Sequence, residues 1–167
     1  MAFSFRAGWQ LESELTSPLD LSTPSSVIKL ARQIAFSEGA GAGAANMIWS
    51  DRRTVAASAT DAIDLAGSLT GPFGTTLTFA RIKMLLVLAA SGNTNNVNVV
   101  MPASNGAPLF LAAGDGIGVK PGGMFWWYDP SAAGVVVTGG TGDLLNLVNS
   151  GAGTSVTYDV VIVGASS

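Results

Sequence analysis

The stretch KPGGMFWWYDPSAAG, Lys120 to Gly134, decides how the chain is read. It sets Phe125, Trp126, Trp127 and Tyr128 side by side in a chain that is only 8% aromatic. The Pro-Gly-Gly before it and the Asp-Pro after it are turn residues, so the apolar run between them is a short strand. Side chains on a strand alternate between faces. Met124, Trp126 and Tyr128 then share one face, and Phe125 and Trp127 share the other. Both faces are apolar. One is expected to meet a second sheet. The other is expected to meet either the N-terminal segment or another subunit.

Strand signals recur on both sides of this run. MIWSDRRTVAAS and TDAIDLAGSL precede the long segment TLTFARIKMLLVLAAS. Strict alternation over that segment places Phe79, Arg81, Lys83, Leu85 and Val87 on one face. SGNTNN is an Asn-rich turn, and VNVVM returns from it. PLFLAAG, GIGVK, GVVVTGG and the terminal hairpin DLLNLVNSGAGTSVTYDVVIVG complete the pattern. About eight to ten short strands with such turns predict an all-β chain, a jelly-roll-like antiparallel β-sandwich.

The N-terminal part differs. Phe3, Phe5, Trp9 and Leu11 follow period two, and SPLDLSTPSS interrupts them. SVIKLARQIAF (26–36) fits either a helical face or a strand, and its β-branched and aromatic residues favour the strand. EGAGAGAAN is small, Gly-rich and nearly uncharged, and reads as a linker. The expected organisation is an extended N-terminal arm (1–37), a Gly/Ala-rich linker (38–46) and a sandwich domain (47–167).

Charged residues make up 11% of the 167 and hydrophobic residues 48%, where about a quarter charged is usual. Such a chain is expected to hide surface in an assembly. The net charge is −3, and Arg52–Arg53 is the only adjacent basic pair, so no nucleic-acid partner is expected. The longest aliphatic run, Met84 to Ala90, is far short of the ~20 residues of a membrane-spanning helix. No membrane partner is expected, and the N-terminus does not read as a secretion signal.

With no histidine and no cysteine, Ser-His-Asp and Cys-His catalysis and zinc sites lack their residues. Asp61 and Asp64 are the carboxylates closest to an acid pair. Asp51, Asp115, Asp129, Asp143 and Asp159 adjoin turns or strand ends, where aspartate caps backbone groups. No calcium-loop pattern occurs. GAGAGAAN, VVIVGASS and GGTGD each lack part of a nucleotide-binding signature. No enzyme activity, cofactor or metal is expected.

The strings NMIWSDRRTVAASATDAIDLAGSLTGPFGTTLTFARIKMLLVLAASGNTNNVNV and GVKPGGMFWWYDPSAAGVVVTGGTGDLLNLVNSGAGTSVTYDVVIVG resemble a group of small structural proteins of tailed bacteriophages. The shared elements are a PGG turn (Lys120 to Gly123), a Gly-rich turn ending in Asp (Thr138 to Asp143) and TYDVVIVG (Thr157 to Gly164). The likeness covers about residues 38–164. Residues 1–37 match loosely, and the strand after PGG is unusually aromatic. The resemblance implies a virion component, made in the bacterial host cytoplasm. A capsid cement or decoration protein is the leading expectation. It would be a homotrimer on the capsid exterior that clamps major capsid subunits of the same phage. A tail or baseplate subunit and a carbohydrate-binding host-recognition module are the alternatives. Phe125, Trp126, Trp127, Tyr128, Phe3, Phe5 and Trp9 are the contact candidates.

Overall fold

The computed structural model describes residues 3–167. Among these residues there is no helix, and the chain forms fourteen strands. Two of them make a long antiparallel ribbon: β1 (Phe5–Thr16) and β2 (Ser25–Glu38), in unbroken register from Phe5–Phe36 to Thr16–Ser25. The 26–36 segment is therefore a strand. The prolines of SPLDLSTPSS fall in the connecting loop, which is closed by Ser17 N–H donating to the Pro24 carbonyl at 3.2 Å.

A short strand β3 (Ala44–Ala45) pairs in parallel with the end of β2. The chain then enters the body through β4 (Met47–Val55), β5 (Thr60–Asp64), the small hairpin β6 (Ala66–Thr70) and β7 (Thr76–Thr78), and the long β8 (Arg81–Ala89). β9 (Val97–Val100), β10 (Gly116–Val119), β11 (Met124–Tyr128), β12 (Val135–Val136), β13 (Leu144–Asn149) and β14 (Val156–Ala165) follow. One sheet has the order β10-β9-β13-β5. The other runs β11-β8-β14-β4, with β12 also on β8. All pairings within these two sheets are antiparallel.

The two sheets share one core. Val97, Val99, Leu145, Leu147 and Ile63 come from the first sheet, and Leu85, Val87, Val160, Ile162 and Tyr158 from the second. Inward residues alternate with partly exposed ones along β13 and most of β14, the pattern of sheets packed face to face. The body is consistent with a β-sandwich.

Strict alternation fails in β8. The register with β14 slips between Val163 and Gly164, so that Gly164 opposes Ile82 and Val163 opposes Met84. Lys83 is the extra residue of a β-bulge. Ile82, Leu85 and Val87 face the sandwich core, while Met84 and Leu86 face outward. Lys83 therefore does not share the face of Leu85 and Val87. Gly164 is needed at the bulge because a Cβ there would lie 2.0 Å from the Arg81 carbonyl oxygen.

A second, smaller core lies on the outer face of the β8 sheet. Met84 and Val163 are covered there by Ile34, Phe36 and Ala45, with Phe3, Phe5, Ala7, Trp126 and Tyr128 at its margin. The base of the ribbon thus caps the sandwich. Beyond it, every residue from Gly8 to Gln33 is exposed.

Candidate functional site

The junction between β11 and the ribbon gathers most of the contact candidates. β11 pairs with β8 from Met124–Leu88 to Tyr128–Met84, and the pleat sorts its rings as alternation requires. Phe125 and Trp127 pack against the sandwich core, and Phe125 stacks on Phe110 at 6.1 Å between centroids. Trp126 and Tyr128 turn to the outer face, against the ribbon base. Phe36 is the centre of that contact, 5.5 Å from the Tyr128 ring and 6.0 Å from Phe5. The strand is apolar on both faces because one meets the second sheet and the other meets the chain's own N-terminal ribbon.

Phe3 and Phe5 sit at the margin of this small core, and the Phe3 amide donates to Glu38 Oε2 at 3.4 Å. Trp9 lies further out and is 42% exposed. Between Trp9 and the sheet runs an apolar groove of about 500 Å³, lined by Leu86, Leu88, Met124 and Trp126 among others. Trp126 Nε1 is buried without a hydrogen-bond partner among the described residues. An indole N–H usually finds an acceptor when buried, so this is a cost the junction carries.

No pattern in the sequence marks Lys83 as a junction residue. The bulge turns it outward, yet it is fully buried under the 38–46 segment. Its ammonium donates to the Ala40 carbonyl at 2.8 Å and to the Gly41 carbonyl. Burial first, and then the nearby Arg81, hold it below the ordinary lysine range, with Asp129 partly offsetting them. Gly43 N–H donates to Pro130 at 2.8 Å, which ties the same segment to the turn after β11. The Gly/Ala-rich stretch is thus held between Lys83 and the β11 turn.

The aspartates of the body are each engaged by a neighbouring group. Asp61 accepts from Arg53 Nη2 at 2.8 Å and from the Tyr158 hydroxyl at 2.7 Å. Burial alone would raise its pKa, but these hydrogen bonds outweigh burial and hold it below the usual carboxylate value. The Tyr158 phenol is pushed far up, first by burial and then by Asp61. Asp64 lies three residues along β5, on the opposite face, and accepts from the Ala66 amide at 2.9 Å. The structure does not bring the two together. Asp115, Asp129 and Asp143 cap turns through the amides of Ala112, Ser131 and Gly140, as expected for aspartates at turns. Asp51 and Asp159 pair with Arg53 and Arg52. Among the described residues no group of three metal-ligating side chains occurs.

No family model, no curated protein and no solved structure matches the chain.

Proposed function

We propose that the chain is a virion structural protein of a tailed bacteriophage, a cement or decoration protein on the capsid exterior that clamps neighbouring major capsid subunits as a homo-oligomer. The observation that carries this reading is the strand order. The eight main strands of the body, taken in chain order, lie 1-8-3-6 in one sheet and 2-7-4-5 in the other. That is the order of two nested Greek keys. It supports the jelly-roll reading, and jelly rolls recur in viral shell proteins and in lectins.

The ribbon supports the cement reading over the lectin one. It serves as the N-terminal arm, and its tip loop carries Leu21 wholly exposed and Leu19 at 62%, which suits insertion between shell subunits. The two tryptophans of β11 are poorly placed to stack on a sugar ring, since Trp126 and Trp127 are packed against protein on opposite faces of the strand. The mechanism is burial of apolar surface, multiplied by shell symmetry.

The test is the copy number of this chain per virion relative to the major capsid protein. A ratio near one to one is expected. A handful of copies overturns the cement reading in favour of a tail or baseplate subunit. A chain lacking the ribbon beyond its base should keep the sandwich folded and lose shell binding, and normal decoration by that variant refutes the role of the ribbon.

A further inference from the structure

The ribbon is amphipathic. Directly paired residues of an antiparallel ribbon share a face, so the register sorts its side chains. One face carries Glu12–Lys29, an ion pair, with Gln10–Ala31 and Glu14–Val27 beside it. The other begins with Phe5–Phe36 and Ala7–Ile34, which are covered by the body. It continues outward as Trp9–Arg32, Leu11–Leu30, Ser13–Ile28 and Leu15–Ser26. Among the described residues none buries these outer rows, where Leu15 is 76% exposed.

A two-stranded ribbon alone is marginal in water, because it needs a covered apolar face to persist. The five apolar residues of the outer rows are between 42% and 76% exposed, which amounts together to a patch on the order of 500 Å². The largest apolar patch on a soluble chain is commonly about that size, and it is often functional. Two such faces packed together remove at most about 1,000 Å² from water, the least expected of a biological interface and short of the roughly 1,200 Å² at which specific, stable ones begin.

We infer that this face packs against the same face of a second copy of the chain, with the two ribbons antiparallel about a two-fold axis. The face is self-complementary in that arrangement. The axis lies between the Leu11–Leu30 and Ser13–Ile28 rows. Trp9 then meets Leu15 of the second copy, Leu30 meets its Ile28, and Leu11 fits over its Ser13. Arg32 is the only charge on these rows. The antiparallel arrangement sets the two Arg32 side chains roughly 20 Å apart along the ribbons and each over a serine. A parallel pair would bring them together.

Pairing of the ribbons does not depend on shell binding, and the isolated full chain suffices to test it. Sedimentation equilibrium at micromolar concentration should return twice the 16.9 kDa chain mass. The variant Leu11→Glu/Leu30→Glu should sediment as one chain with the thermal melting of the sandwich unchanged. Leu111→Glu, wholly exposed but off the ribbon, should leave the pair intact. The chain has no cysteine, so engineered thiols report the geometry cleanly. A mixture of Ile28→Cys and Leu30→Cys chains should form a mixed disulfide. A mixture of Leu11→Cys and Leu30→Cys chains, which a parallel pair would join, should not. A one-chain or three-chain mass for the native protein overturns the pair, as does a double-Glu variant of unchanged mass.

Discussion

Phe36 is the residue on which docking of the ribbon depends most. It is 2% exposed and lies between the rings of Phe5 and Tyr128 on the outer face of the β8 sheet. In Phe36→Ala the ring's burial is lost, both aromatic contacts go, and a cavity remains that the β-sheet beneath cannot collapse to fill. Buried Phe→Ala substitutions cost about 3–5 kcal/mol, and the two aromatic contacts account for ~0.5–1.5 kcal/mol each of that. The lower end applies here, because the small core is open at its margin. The loss should be local, since Phe36 touches the outer core and not the one between the sheets. Native-state hydrogen exchange resolves this. Amides that bond across the ribbon base, Ala7 and Ile34 among them, should lose about two orders of magnitude of protection, at 1.36 kcal/mol per decade. Amides of β13 and β9 should keep theirs. Equal losses in both regions would show that ribbon and sandwich open as one unit. Unchanged protection at the ribbon base would show that Phe36 does not hold it. Either result refutes the reasoning.

Three further outcomes follow from other parts of the fold. Gly164→Ala places a Cβ against the Arg81 carbonyl and the Phe79 ring, so urea unfolding should show a loss of about 3 kcal/mol, the upper range for overpacking. A loss below 1 kcal/mol would mean that the bulge relaxes freely. Tyr158→Phe removes one of the hydrogen bonds to Asp61 and should cost about 1.5–3 kcal/mol, as for a bond to a charged group. The Asp61 carboxyl has its pKa lowered in the folded chain, so its contribution is present above the unfolded value near 3.8 and is lost as pH falls through the folded value. Stability measured from pH 5 down to pH 2 should therefore fall less steeply in Asp61→Asn than in the native chain, and parallel curves would rule out this linkage.

Much of the sandwich could be read from residue patterns. The alternation in DLLNLVN and TYDVVIV defines β13 and β14, because a two-residue period has one meaning when one face is buried. The turn in SGNTNN was equally plain, and Asn93 closes it by exchanging two hydrogen bonds with the Thr157 backbone. The ribbon was only half legible. Its period was visible in Phe3, Phe5, Trp9 and Leu11, but β2 carries apolar residues on both parities, so a helix fitted nearly as well.

What the sequence determined by itself was local: strands, turns, the absence of histidine and cysteine, and the two-faced character of β11. Each depends on a residue and its near neighbours. Tertiary structure decided the rest, because those facts depend on pairing across long stretches of chain. Asp61 and Tyr158 are 97 positions apart. Lys83 looked like one more residue on an alternating strand until the register slip opposite Gly164 turned it toward Ala40 and Gly41. Alternation showed that Trp126 and Tyr128 needed cover. Only the fold placed Phe36 over them, since hydrophobic burial has no direction along the chain and any apolar face could have met theirs.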